Sequence, residues 1–227
     1  MKLDDALYLA ELLVGDIQDY CERVEVAGSV RREKEEVKDL ELVLVPRWHE
    51  QMDPTDLFGE RSTRTNCLFE GWANCTPSRM GNVPVQWIKP GTSEVVPWHV
   101  QPDGKYWRGY VNPADSEGNA CKIDIFLTTP ENFGAQFVIR TGCHEFSQEL
   151  MIHAQRVGYK FDGGYLWQGP RKIHTPEEED IFRHLGLEWV EPKDRVSAAQ
   201  VRNKIRAPKP PPHPRAAEAG QDWTARS

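Results

Sequence analysis

Apolar residues at Leu3, Leu7, Ala10, Val14 and Ile17 recur at helical spacing and predict an amphipathic helix over residues 3–20. Val24 to Ala27 then reads as a short strand that ends at a Gly28-Ser29 turn. Over residues 39–45 the period changes to two: Asp39, Glu41, Val43 and Val45 share one face, and Leu40, Leu42 and Leu44 the other. This predicts a half-buried strand with carboxylates at one end. Residues 122–127 repeat the arrangement, with Asp124 on one face and Ile123 and Ile125 on the other. Helical spacing returns in Phe146, Leu150, His153 and Val157, a stripe that Gly158 closes as a C-cap. Thr175 as N-cap, Pro176 at the first helical position and Glu178 three residues after the cap predict a further helix through Ile181, Phe182 and Leu185 to Gly186.

Residues 46–120 are rich in Gly, Pro and Trp, including Trp48, Trp72, Trp87, Trp98 and Trp107. A structureless connection of that length is improbable inside a domain, so several short strands and loops are expected there. Past Arg195 no apolar period survives, and the Pro-rich run that follows predicts a disordered tail over residues 197–227.

The 227 residues suffice for one catalytic unit with a smaller appended subdomain. There is no apolar run of about 18 residues and no basic-then-apolar leader at Met1-Lys2-Leu3-Asp4-Asp5, so an intracellular protein, neither secreted nor partnered with a membrane, is expected. Five cysteines without framework spacing read as reduced thiols. The net charge of −7 excludes a broadly basic nucleic-acid binder, but residues 197–227 carry six basic against two acidic side chains, leaving that segment at +4 and the rest at −11. Such a tail could tether phosphate.

A tight Gly28-Ser29 turn with Arg32 close behind can cradle phosphate oxygens. Asp39 and Glu41, two apart on a strand, project from one face, and Asp124 supplies a third hard oxygen ligand. Each feature is weak by itself. Together they point to a nucleoside triphosphate held beside two Mg²⁺ ions, with Mn²⁺ able to substitute, and to phosphoryl transfer. In this reading Asp39 and Glu41 bind both ions, Asp124 holds the ion beside an attacking 3′-hydroxyl, and Ser29 and Arg32 meet the β- and γ-phosphates. Cys67, Cys75, His99 and Cys121 would make a zinc site on paper, but their spacing matches no common finger.

GSVRREKEEVKDLELVLV resembles the signature of the nucleotidyltransferase superfamily, and in particular of the family X DNA polymerases. The resemblance continues through KIDIF, FVIRTGCHEF, HAQRVGY and EEEDIFRHLGLEWVEPKDR, so that ordered segments between residues 3 and 195 take part. It implies an α+β fold: a nucleotidyltransferase palm over residues 1–138, with a mixed sheet flanked by helices and a divergent insertion at 46–120, then a small C-terminal α/β thumb over 139–196. It also implies a DNA-directed DNA polymerase that adds dNTPs to gapped or primed DNA in repair. Lys122 falls near the primer-side carboxylate, and Ile139, Arg140, Thr141 and Gly142 at the sugar-contacting hinge. His144, Ser147 and Met151 fall on the helix that would line the base pair, and Glu178 and Arg195 at positions that switch ion pairs with the arginines after Gly28-Ser29.

Three departures stand out. Glu41 replaces the usual aspartate, Ile139 and Arg140 replace an aromatic, and Met151 replaces a basic residue that would touch the template. The first motif sits in what resembles the palm's opening segment, with no lyase or helix-hairpin-helix modules before it, so DNA grip is expected from the tail, from stacking tryptophans or from a tethering partner protein. A template-independent nucleotidyltransferase is the alternative, and a binding subunit with a vestigial site a third reading.

Overall fold

The computed structural model describes residues 1–52, 62–68, 79–80, 83–88, 95–96, 99–100, 104–111 and 121–205. Helix α1 (Leu3–Ile17) opens the chain, with Asp4 and Asp5 in its first turn where they complement the helix dipole. A short 3₁₀ turn leads to β1 (Cys21–Val26), α2 (Gly28–Arg31) and β2 (Asp39–Pro46). Short strands follow: β3 (Trp48–Met52), β4 (Ser62–Asn66), β5 (Arg79–Met80), β6 (Val83–Ile88), β7 (Val95–Val96), β8 (His99–Val100) and β9 (Tyr106–Val111). Strand β10 (Cys121–Leu127) returns to the centre of the sheet. Helices α3 (Phe133–Thr141) and α4 (His144–Arg156), strands β11 (Lys160–Asp162), β12 (Tyr165–Gln168) and β13 (Arg171–Ile173), and helices α5 (Glu178–His184) and α6 (Ala198–Arg202) complete the described chain.

Among the described residues the main sheet runs β1-β2-β10-β9-β6-β5, with β7 on β6 and β8 on β9. The β2–β10 pair is parallel and its neighbours are antiparallel. The result is the expected mixed α+β sheet flanked by helices. One face packs Leu40, Leu42, Leu44, Ile123 and Ile125 against Ala6, Leu9, Ala10, Leu13 and Ile17 of α1. Of the stripe that the sequence suggests, Ala10 and Ile17 are buried and Leu3 and Val14 pack against this core, while Leu7 is 43% exposed. The opposite face packs Val43, Val45 and Phe126 against Phe133 and Phe137 of α3. Strand β2 is thus buried on both faces beyond Glu41, not half-buried, because a helix covers each side.

The C-terminal unit has its own core, in which Val138, Phe146, Leu150, Ala154, Leu166, Ile181 and Phe182 meet. His153 is buried there with Nε2 2.9 Å from the Leu185 carbonyl, a packed helix residue rather than a catalytic one. Val157 is exposed at the end of α4, and Gly158 turns the chain with φ +85°. The cap of α5 differs from the sequence pattern. Glu177 is its N-cap and forms a reciprocal box with Asp180, while Thr175 and Pro176 stay in the preceding extended segment. That segment is fixed by backbone bonds, Gly134 N–H to the Thr175 carbonyl and Thr175 N–H to the Glu131 carbonyl.

Residues 197–205, grouped with the tail by composition, are folded. Val201 is buried, Arg202 pairs with Glu149 at 2.8 Å, Lys204 pairs with Glu188 at 3.2 Å, and Ile205 bridges to Leu187. The buried Val201, with these ion pairs and the backbone bridge, provides the adhesion that the Pro-rich reading passed over. The remaining tail, Trp72, Trp98 and Cys75 lie outside the described residues. Trp107 is buried in the first core, whereas Trp48 is 44% exposed beneath the Arg64 guanidinium. No helix among the described residues is long and apolar enough to cross a membrane.

A methyl group at Gly134 would overlap the Glu177 carbonyl, backbone that cannot rotate away, whereas one at Gly15 on α1 meets open space. Gly134→Ala is expected to lower unfolding stability by about 2 kcal/mol or more, and Gly15→Ala to raise it by about 0.5 kcal/mol, in parallel urea titrations.

Candidate active site

The parallel register of β2 and β10 pairs Asp124 with Glu41 and Lys122 with Asp39. Because side chains alternate across a strand, Asp39, Glu41, Lys122 and Asp124 emerge on the α3 side of the sheet. They line one cavity of about 780 Å³ together with Lys105, Tyr106, Arg108, Phe126, Gln136, Arg140 and Gly163. The main sheet, α3 and the β11–β12 hairpin all contribute a wall.

Three carboxylates so close demand cations. Lys122 Nζ lies 2.9 Å from Asp39 and 3.0 Å from Asp124. Arg108 donates from Nε to Asp124 Oδ1 at 2.8 Å, and the Tyr106 hydroxyl donates to the same oxygen at 2.5 Å. Burial alone would raise the Asp124 pKa, but the bonds from Arg108, Tyr106 and Lys122 outweigh it and hold the carboxyl below its usual range. Glu41 fares differently. Burial, then the charge of Asp39 and more weakly that of Asp124, push it up to about 7 against the opposing pull of Arg140 and Arg32.

The donor set is three hard carboxylate oxygens with surplus negative charge, which suits Mg²⁺. As arranged, however, no three Asp, Glu, His or Cys side chains among the described residues converge into a metal cage. The expected metal triad of Asp39, Glu41 and Asp124 is instead closed by the Lys122 ammonium, because like charges relax onto the nearest internal cation. The residue types fit the ion; Lys122 would have to release Asp39 and Asp124 to admit it. No zinc cluster forms among the described residues either: Cys121 is buried, and Cys67 Sγ lies 3.2 Å from His49 Nδ1.

The predicted nucleotide residues divide. Gly28 has φ +62° and abuts the Glu41 carboxylate, which any side chain at this position would strike. Ser29 is buried with an Oγ that no protein group bonds. Arg32 donates to the Thr141 carbonyl at 2.5 Å, leaving its buried Nε without a partner. Thr141 is fully buried, its hydroxyl accepting from Arg31 at 2.9 Å. Gly142 admits Phe146 and Ser147 so closely that a methyl group would overlap both, which makes it a packing glycine between α3 and α4. Ser147 is buried and donates to the Ile139 carbonyl at 2.8 Å, while His144 and Met151 are exposed on α4. None of Ser29, Arg32, Thr141, Gly142, His144, Ser147 or Met151 lines the carboxylate cavity. Lys105, Tyr106 and Arg108 do, and the sequence reading missed them; the period-two run from Tyr106 to Val111 was the available signal.

The C-terminal unit is tied to this site through Glu178, which is buried and contacts Arg31 at 2.8 Å and the fully buried Arg195 at 2.5 Å. It is an ion-pair centre rather than a member of the α5 capping box. Arg31, and not Arg32, reaches it, and the Arg31 guanidinium also stacks 3.8 Å from the centre of the Phe137 ring. Arg23 makes a parallel clasp, with two bonds of 2.8 and 3.0 Å to Glu177.

A mixed sheet flanked by helices, with a carboxylate pocket and a small α/β unit beside it, makes this an α+β protein. Residues 137–196 match the DNA polymerase beta thumb family. The chain is similar to DNA nucleotidylexotransferase of Eulemur macaco, 29% identical over 100 residues that make up 42% of this chain and 17% of that protein. It is also similar to DNA-directed DNA/RNA polymerase mu of Homo sapiens, 33% identical over 104 residues that make up 42% of this chain and 20% of that protein. A third relative, DNA nucleotidylexotransferase of Monodelphis domestica, is 25% identical over 104 residues, again 20% of its length. The chain is thus similar to these polymerases through a segment that spans a fifth or less of each of them.

Removing Glu178 leaves Arg195 buried and uncompensated. Glu178→Gln is expected to cost about 3 kcal/mol of unfolding free energy by urea titration. Arg183→Gln, which removes an exposed guanidinium paired with Asp180 on the same helix, should cost under about 1 kcal/mol.

Proposed function

We propose that the chain is a metal-dependent nucleotidyltransferase that adds dNTPs to the 3′-hydroxyl of gapped or primed DNA under template direction, in short-gap repair. The observation that carries the reading is the matched register of Asp39, Glu41 and Asp124 on adjacent strands, in a cavity that also holds Lys105, Arg108, Lys122 and Arg140. Carboxylates and cations sharing one cavity suit a polyanion accompanied by divalent ions. Two Mg²⁺ ions held by Asp39, Glu41 and Asp124 would supply charge neutralisation at the transferring phosphorus and activation of the attacking hydroxyl.

The protein's own groups have the following parts in this reading. Ser29 and Arg32, whose buried Oγ and Nε no protein group bonds, would have to be uncovered to meet the β- and γ-phosphates. Asp124, kept ionised by its three donors, accepts the proton of the attacking hydroxyl. Lys122, released from Asp39 and Asp124, is free to hold a primer phosphate. The Thr141-Gly142 junction sets the angle of α4 and with it the exposed His144 and Met151, which face the nascent pair and template strand.

A template-independent transferase is the second reading, favoured by the similarity to two DNA nucleotidylexotransferases. The polymerase mu relative, whose name includes both DNA and RNA, adds ribonucleotides to the substrates worth testing.

The test is single-nucleotide extension of labelled one-nucleotide-gapped DNA with each dNTP separately, in Mg²⁺ or Mn²⁺. Extension by the complementary nucleotide alone supports the templated reading, extension indifferent to template supports the alternative, and no transfer to any hydroxyl acceptor overturns both. Asp124→Ala is expected to lose about 10³-fold or more in turnover while retaining triphosphate binding, and chelation by EDTA should abolish transfer.

A further inference from the structure

Strand β9 lies outside the segment matched by the thumb family, yet it supplies two donors to the central carboxylate. The antiparallel pairing of β9 with β10 sets Arg108 opposite Asp124 and Tyr106 opposite Phe126. Both donors converge on one oxygen. Asp124 Oδ1 receives the Tyr106 hydroxyl at 2.5 Å and Arg108 Nε at 2.8 Å. Asp124 Oδ2 is held by Lys122 Nζ at 3.0 Å, with Arg108 Nη2 at the edge of hydrogen-bonding range, 3.5 Å.

The two donors are themselves braced. Tyr106 stacks on Phe126 at 5.1 Å between ring centres with an interplanar angle of 27°. The Arg108 guanidinium lies 5.2 Å from the Tyr106 ring centre, and that of Arg140 lies 3.8 Å from the Phe126 ring centre on α3's side. Arg108, Tyr106, Phe126 and Arg140 therefore form a continuous stack from β9 across β10 to α3, along the floor of the cavity. Stacked rings and guanidiniums have few alternative rotamers, so the stack fixes the direction from which Oδ1 is approached.

We infer that Tyr106 and Arg108 are positioning residues of the site, anchoring Asp124 through Oδ1 so that Oδ2 is the oxygen offered to a divalent cation or to the attacking hydroxyl. This rests on the proposed reading of Asp124 as the working carboxylate. A carboxylate pinned by one oxygen cannot rotate about its Cβ–Cγ bond, and misplacement of a reacting group by about 1 Å can cost on the order of a hundredfold in rate. The anchor comes from the segment that carries no recognisable motif, so the site is assembled from both parts of the chain.

The experiment uses the full chain with Tyr106→Phe, which keeps the stacked ring and deletes the hydroxyl, and with Arg108→Gln and Arg108→Lys. Gap extension provides kcat and KM, electron paramagnetic resonance of free Mn²⁺ provides the cation affinity of the site, and thermal unfolding monitors the fold. The expected result is a fall in kcat of about tenfold or more in Arg108→Gln and about threefold or more in Tyr106→Phe, with KM for dNTP within about twofold and part of the rate restored in Arg108→Lys. Mn²⁺ should bind about threefold or more tightly to Arg108→Gln, since a competing cation has left the carboxylate. Slower turnover with tighter cation binding is a combination that general loosening of the fold would not produce. A kcat within about twofold of the parent in both Arg108→Gln and Tyr106→Phe overturns the inference. If Arg108→Gln does not fold, Tyr106→Phe decides by the same criterion. If the parent transfers nothing, the functional reading fails separately and the Mn²⁺ arm decides: equal affinity in parent and Arg108→Gln overturns the anchor, and tighter binding in the variant sustains it.

Discussion

The parallel pairing of β2 with β10 is the constraint from which the rest of the site follows. It places Glu41 against Asp124 and Asp39 against Lys122 on a sheet face that α3 partly covers. Negative charges gathered where water is scarce repel strongly, and only cations or protons relieve them. Each neighbouring basic or acidic proton donor is arranged accordingly. Lys122 bridges Asp39 and Asp124, Arg108 and Tyr106 take the other oxygen of Asp124, and Glu41, only partly opposed by Arg140 and Arg32, is pushed up to about 7. A site under this strain is poised to exchange its internal cations for others.

A second charge problem joins the two halves of the molecule. Glu178 lies buried between Arg31, on the helix that follows Gly28-Ser29, and Arg195, near the end of the C-terminal unit. Arg195 also donates to the Val190 carbonyl, and its backbone carbonyl accepts from Cys143 at the start of α4. Movement of the C-terminal unit relative to the Gly28-Ser29 turn must therefore disturb a buried ion pair, which is costly unless another partner takes over. Thr141 strengthens the coupling, since its hydroxyl and carbonyl accept from Arg31 and Arg32 respectively.

Much of this was legible in the chain. The alternation of Asp39 to Val45 and of Lys122 to Leu127 gave both central strands and the face that each carboxylate occupies, because a period of two leaves no freedom about sides. Residues 3–17 were legible as a helix whose stripe of Leu3, Ala10, Val14 and Ile17 meets the core, but Ala6, Leu9 and Leu13 join it and Leu7 does not, a width and centre that only contact with the sheet decided. Thr175-Pro176 imitates a cap that Glu177 and Asp180 supply instead, since the backbone of Thr175 is already committed to Glu131 and Gly134. Val201 looked like the start of a featureless tail because a lone apolar residue sets no period, although it joins the second core while Arg202 and Lys204 pair with Glu149 and Glu188.

The sequence by itself determined the chemistry on offer: three carboxylates on two strands, an unhindered glycine turn, and arginines within reach of it. These are local properties, written in residue type and period. What only the tertiary structure decided is which partner each charge would meet. Lys122 between Asp39 and Asp124, Tyr106 and Arg108 on a single oxygen, and Arg31 rather than Arg32 on Glu178 are all contacts between segments distant in sequence. Their geometry depends on strand register and helix approach, and these minimise a global packing and charge energy that no local pattern contains.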